Sequence, residues 1–309
     1  MTVASIEALE SWVAGSLHVV RVSDDAGRVG IGQSACWAYP AAVDAVVDAL
    51  RPHLLGADPA DIERVWHLAY RTGPFRGSVL SGAVSAIDIA LWDLRGRSLG
   101  VPVHQLLGGR YRRRVRLHLL ILGWKDHDEL ATRVADAVAE GYTAVKFDPL
   151  PAGYQDLSLP ALCEAVATSA AVARANAGDG VDLIVELHRA LTPLQAHPVI
   201  GRLAESRPLF VEDPLQIDSI VEQAELARAV PVPLGQGERL HNAWEVRDLL
   251  QLGGPQYVRT DVGSPAASRR PARSRPSRRR WGHGCAGTPT AARSSPPPRP
   301  ISASCSPTW

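Results

Sequence analysis

The chain has 309 residues, is 46% hydrophobic and carries a formal charge of +1, enough apolar content for one barrel with an addition or for two domains. No apolar run approaches the roughly 20 residues needed to cross a bilayer, and residues 1–10 are too acidic and too weakly apolar for a signal peptide. A cytoplasmic protein without membrane contact is the expectation. Cys36, Cys163, Cys285 and Cys305 are scattered without metal-ligand spacing and read as buried or incidental thiols.

In chain order, residues 16–23 alternate as a strand, 24–27 supply a turn and 29–32 form the returning strand, which opens a small α+β unit. Residues 40–55 read as an amphipathic helix with Ala42, Val43, Val46, Val47, Leu50 and Leu54 on one side. Another helix is expected over 61–70, capped by Asp58 or Asp61. The run 81–94, rich in small and apolar residues, predicts a core helix whose Asp88 and Asp93 cap neighbours or pair with arginine. Beyond it, strands are predicted over 115–122, 144–148 and 183–188, alternating with helices over 128–140 and 160–176.

From Lys146 to Asp261, charged residues stand at the ends of short apolar runs: Val145-Lys146-Phe147-Asp148, Ile184-Val185-Glu186-Leu187-His188, Phe210-Val211-Glu212-Asp213, Gln236-Gly237-Glu238-Arg239 and Val258-Arg259-Thr260-Asp261. Glu186, Glu212 and Glu238 follow one another at intervals of 26 residues, a length that suits a strand, a helix and two loops. Parallel strands buried on both faces read as continuous apolar runs. In a parallel barrel their ends converge on one rim, so the three glutamates would gather hard oxygen donors suited to Mg²⁺. Period-2 alternation would put His188 on the strand face of Glu186, although a lone histidine is usually structural.

The run ending Ala90-Leu91-Trp92-Asp93-Leu94, with Gly100-Val101-Pro102-Val103 and Leu106-Leu107-Gly108-Gly109 after it, resembles the mandelate racemase/muconate-lactonizing branch of the enolase superfamily. Glu212-Asp213-Pro214 and Gly237-Glu238-Arg239 occur in the same order as that family's motifs, and the resemblance extends over about residues 5–263. It implies an α/β fold: an N-terminal α+β capping domain over 1–112, then a modified (β/α) barrel over 113–263 with its site at the strand ends. It also implies Mg²⁺ on Glu186, Glu212 and Glu238, although aspartate is commoner at the first position. Lys146 becomes a candidate acid/base group whose pKa a neighbouring metal and other cations would lower. Many relatives carry a second lysine two positions on; Asp148 stands there instead, which disfavours a two-lysine racemisation. Asp148 would bind a substrate hydroxyl or hold Lys146, and Arg239 is a further substrate-binding candidate.

Glu186-Leu187-His188 followed by Arg-Ala-Leu-Thr-Pro resembles the sugar-acid dehydratases, of the galactonate, mannonate and gluconate type, in which that histidine donates a proton to the departing hydroxyl. Asp261 would orient a histidine from the next strand as a second base, with Arg259 as its pairing partner. The resemblance therefore implies a Mg²⁺-dependent lyase that takes an α-proton from a small sugar-acid carboxylate and eliminates the β-hydroxyl. The alternatives on one scaffold are a racemase, epimerase or cycloisomerase, or a non-catalytic remnant. Full-length relatives would be homo-oligomers, and nucleic acid is not an expected partner.

Residues 264–309 differ in kind: nine Arg, nine Pro and nine Ser, with no Asp, Glu, Lys, Leu, Val or Phe. The remaining residues hold 24 basic against 32 acidic side chains, so an acidic body carries a basic tail. The tail's composition predicts disorder and looks like a GC-rich gene read in a shifted frame. On that reading the last barrel strands and their histidine are lost, His283 is no substitute, and turnover is impaired.

Overall fold

The computed structural model describes residues 4–263 and the strand Gly284–Thr288. The chain forms two compact units, one built from Met1–Arg114, Arg239–Trp244 and Asp261–Ser274, the other from Val115–Glu238, Glu245–Thr260 and Arg275–Trp309.

The first unit carries a three-stranded antiparallel sheet of β1 (Ile6–Ala14), β2 (Leu17–Asp24) and β3 (Val29–Gln33). Its 24–28 turn is closed by Asp24, whose Oδ1 accepts from the Ala26 and Arg28 amides. Helices α1 (Pro40–Leu54), α2 (Ile62–Arg71) and α3 (Ser78–Leu99) cover the sheet, followed by the single turn α4 (Val103–Leu106). The expected face of α1 is the buried one, with Val43, Val47, Leu50 and Leu54 in the core. Helix α3 is buried on nearly every side and lies so close to β3 that a Cβ on Gly32 would meet the Ala86 carbonyl oxygen at 1.9 Å. Glycine on the strand and alanine on the helix are what permit that approach. Asp93 behaves as the helix reading predicts, pairing with Arg97 at 2.9 Å and accepting from the Ile31 amide.

The second unit is a parallel sheet with strands in the order β10-β9-β8-β7-β6-β5-β4. Its elements in chain order are β4 (Leu119–Ile121), α5 (His127–Ala139), β5 (Ala144–Phe147), α6 (Leu159–Ala177), β6 (Asp182–Glu186), α7 (Pro193–Leu203), β7 (Phe210–Glu212), α8 (Ile220–Ala229), β8 (Leu234–Gln236), α9 (Ala243–Gln251), β9 (Tyr257–Asp261) and β10 (Gly284–Thr288). The strand-then-helix alternation and the parallel pairing from β4 to β9 are those of a (β/α) barrel. The helices start on local signals: Asp126 accepts from the Glu129 amide, and Thr192 with Gln195 forms a capping box.

Alternation sorts the strand residues. Val145, Phe147, Leu183, Val185, Val211 and Leu234 join the apolar cluster with α5, α6, α7 and α8. The residues between them lie on the other face, where a Cβ on Gly235 would strike the Phe210 ring at 2.7 Å. Residues 264–283 and 289–309, on which the expected disorder and His283 fall, lie outside the described residues. Gly284–Thr288 corrects the expectation for five of the tail's residues, since they form a strand bordering β9.

Candidate active site

Register brings the charged strand ends together. Glu186 of β6 pairs directly with Glu212 of β7, and Lys146 pairs one step back with Ile184. The Lys146 side chain is 2% exposed, and its Nζ lies 2.5 Å from Glu186 Oε2 and 2.6 Å from Glu212 Oε1. On the other side of Glu212, the Arg259 guanidinium contacts the same Oε1 and lies 2.6 Å from Glu238 Oε1. Arg189 completes the set, 2.8 Å from both Asp213 Oδ2 and Glu238 Oε2. Four carboxylates (Glu186, Glu212, Asp213, Glu238) thus share three cations at one end of the sheet.

The titration directions follow from this crowding. Burial works against the Lys146 charge, but Glu212 and Glu186 outweigh it and raise the pKa. The depression expected beside a bound metal and other cations is a different situation from this one, in which the nearest groups are carboxylates. Burial also pushes Glu186 upward, yet the charges of Lys146 and His188 hold it below the usual range. Glu212 goes the other way: complete burial, against the pull of Lys146, raises it well above the ordinary value. Asp213 is raised to about 6 by burial and by Glu186 and Glu238. His118, which precedes β4, is lowered to about 3 by burial and by Lys146 and Arg259.

His188 does not sit where alternation put it. Strand β6 ends at Glu186, and the chain turns through positive φ at His188 (47°) and Arg189 (62°), with Asp213 (39°) strained in the same sense after β7. Such left-handed residues cluster where function holds them. The turn lets the His188 amide donate to Glu186 Oε1 at 2.9 Å and puts Nδ1 2.6 Å from Asp148 Oδ2. Asp148 is itself fixed, since Oδ1 accepts from the Leu150 amide and its carbonyl from Trp124 Nε1. Asp148 therefore holds His188, not Lys146. Burial lowers the histidine's pKa, but the Asp148 hydrogen bond and the Glu186 charge prevail and raise it.

Lys146, Asp148, Glu186, His188, Glu212 and Glu238 all belong to the second unit, whereas Arg239 and Asp261 belong to the first. There the Arg239 guanidinium lies 5.9 Å from the Trp37 ring centre, and Asp261 Oδ1 accepts from the Gly263 amide. Arg259, expected beside Asp261, is placed instead against Glu212 and Glu238. The sequence reading did not single out Arg189, Asp213 or His118. Asp213 was findable, because it directly follows a strand-end glutamate; Arg189 reaches the cluster only through the turn.

Two observations bear on a metal. Glu212 Oε2 is buried without a hydrogen-bond partner, and three glutamates with hard oxygens suit a divalent cation such as Mg²⁺. Among the described residues no three acidic, histidine or cysteine side chains are placed to hold a metal ion; Lys146 and Arg259 bridge the carboxylates instead. The donor chemistry of the three glutamates, hard oxygens, is what fits the ion. No helix among the described residues is long and apolar enough to cross a membrane.

A parallel (β/α) sheet with carboxylates on successive strand ends, in a chain that also carries an α+β unit, defines the class of the enolase-type proteins. Residues 6–108 match the mandelate racemase/muconate lactonizing enzyme N-terminal domain, and residues 129–265 match the enolase C-terminal domain-like family. The chain belongs to the mandelate racemase/muconate lactonizing enzyme family. It is 33% identical over 252 residues to a D-galactonate dehydratase of Verminephrobacter eiseniae and 30% identical over 247 residues to one of Xanthomonas euvesicatoria, covering 79% of this chain each time. It spans 63% of the length of these curated relatives. An enolase from Agrobacterium radiobacter, solved with sodium and L-malate bound, superposes with a TM-score of 0.82 at 26% identity, over 93% of this chain and 74% of that one. A mandelate racemase/muconate lactonizing enzyme from Sulfitobacter gives 0.76 at 29% identity, over 85% and 73%.

Proposed function

We propose that the site is that of a sugar-acid dehydratase, which removes the α-proton of a hydroxy acid and expels the β-hydroxyl to leave a 2-keto-3-deoxy acid. The observation that carries this reading is the His188–Asp148 pair. With its pKa raised, the imidazolium donates Nδ1–H to Asp148 and keeps Nε2–H for the departing hydroxyl. Elimination needs an acid positioned at the departing hydroxyl, whereas racemisation needs one at the α-carbon. The galactonate dehydratases among the relatives support an aldonic acid as substrate.

Mg²⁺ would be held by Glu186, Glu212 and Glu238 and would supply positive charge to the substrate carboxylate as the α-proton leaves. The two carboxylates beside Lys146 keep its proton on, so in this state it stabilises negative charge rather than accepting the proton. As a base it must first be released from them. The second base, a dyad built on Asp261, needs a histidine from a following strand. The strand that borders β9, Gly284–Thr288, contains no histidine, so we propose that turnover by this chain is impaired.

The test is formation of 2-keto-3-deoxy product from D-galactonate and related aldonic acids with Mg²⁺. The chain as it stands would run beside a version whose reading frame is restored after Gly263. Product is expected from the restored form, with a kcat about 10²–10⁴-fold lower in its His188→Asn variant. Restored protein that binds Mg²⁺ and yields no product from any aldonic acid would overturn the dehydratase reading. Equal turnover by both forms would overturn the impairment.

A further inference from the structure

The strand-end cluster contains a cation for which the mechanism has no use. Arg259 lies on β9, 5% exposed, with one guanidinium edge against Glu212 Oε1 and Glu238 Oε1. Both partners are among the glutamates assigned to the metal. Unlike Lys146, a guanidinium does not shed its proton inside a protein, so its charge stays unless the side chain moves. Nε and Nη1 find no partner aligned for a hydrogen bond although carboxylate oxygens are within ion-pair reach. Glu238 is also engaged by Arg189, and Glu212 by Lys146, so Arg259 is the group that ties the two halves of the cluster together through these oxygens.

A buried carboxylate without a counter-charge is costly, and Arg259 removes that cost while no metal is bound. A divalent cation that takes Glu212 and Glu238 must displace this guanidinium, or bind beside a like charge in a site shielded from water. Either way part of its binding free energy is lost to Arg259.

We propose that Arg259 is a built-in competitor of the metal: it stabilises the metal-free cluster and sets the affinity of the site for a divalent cation. This rests on the reading of Glu186, Glu212 and Glu238 as metal ligands. Arg259 acts here through the carboxylates, as a positioning and tuning residue, without touching substrate.

The experiment is a calorimetric titration of the full chain with Mg²⁺, and with Mn²⁺ followed by its spin-resonance signal, together with melting temperatures with and without metal. Wild type, Arg259→Gln, Arg259→Lys and Glu212→Gln are compared. Arg259→Gln is expected to bind at least about tenfold more tightly than wild type, equivalent to ~1.4 kcal/mol. It should also melt lower without metal and gain more from it. Arg259→Lys, which keeps a charge but replaces the fork with a single point donor, is expected to fall between them. It gives the same decision should the glutamine variant not fold. Wild type that binds metal while both Arg259 variants bind equally or more weakly would overturn the competitor role and leave the metal site standing. If wild type binds no metal, or Glu212→Gln binds as well as wild type, the metal reading beneath the proposal falls with it.

Discussion

The two compact units treat their acidic side chains differently. In the first, Asp24 and Asp93 each hold one piece of the fold. Asp24 closes a turn through two amides and Arg28, and Asp93 ties an i, i+4 arginine and one strand amide. In the second, Glu186, Glu212, Asp213 and Glu238 are packed against Lys146, Arg189 and Arg259, four carboxyl groups to three cations, with Glu212 Oε2 buried and without a hydrogen-bond partner. A carboxylate satisfied by its own turn supports a fold. Buried charges gathered from five strand ends, with a donor left over, cost stability that folding alone does not require, and that surplus marks the site.

The comparison can be broken most sharply at Lys146. Lys146→Ala leaves Glu186 and Glu212 without their shared cation and is expected to cost about 3–5 kcal/mol in chemical denaturation. A loss under 1 kcal/mol would show that the cluster is not held by its ion pairs. In the first unit the large effects should come from packing. Gly32→Ala places a methyl 1.9 Å from the Ala86 carbonyl oxygen, and about 1–3 kcal/mol should be lost to overpacking; a neutral result would mean that α3 stands farther from β3.

Next in size is a pH effect. His118 has its folded pKa lowered to about 3 against an ordinary value near 6.5. Between these values the unfolded chain binds the proton and the folded chain does not. Stability is therefore unaffected above about pH 6.5 and falls as the pH drops toward 3, by about 2 kcal/mol at pH 5. Comparing wild type with His118→Gln by denaturation at pH 5 and 7.5 isolates it from Asp213, whose raised pKa acts in the opposite sense. An unchanged difference between the two pH values would contradict the burial of a neutral imidazole. The smallest effect belongs to Arg97→Ala, which removes a largely exposed pair and should change stability by less than about 1 kcal/mol; thermal melting resolves a larger loss.

Much of the fold was legible because it rests on local pattern. The apolar runs before Lys146, Glu186 and Glu212 are β5, β6 and β7, and the 26-residue interval reports their strand–helix repeat. The helix over 81–94 was seen, although it runs on through Gly96 to Leu99. There a Cβ on Gly96 would meet the Val101 carbonyl oxygen at 2.9 Å, so the glycine serves close packing rather than ending the helix. What failed depended on tertiary charge. Nothing in Val258-Arg259-Thr260 says which carboxylate an arginine will meet. The chain reversal at His188 and Arg189 is invisible to a period of two, and with it went the partnership of Asp148. The direction of the Lys146 shift in the metal-free cluster has the same dependence: it is set by which neighbours lie within 3 Å.

The central claim is that the surplus carboxylates at the strand ends bind a divalent metal. The most direct measurement is a crystal structure of the chain grown with Mn²⁺, with its anomalous scattering mapped. The account predicts one strong peak bounded by Glu186, Glu212 and Glu238, with Lys146 and Arg259 drawn off the oxygens they now engage. Saturating Mn²⁺ with no peak there, and both cations still in place, would contradict it.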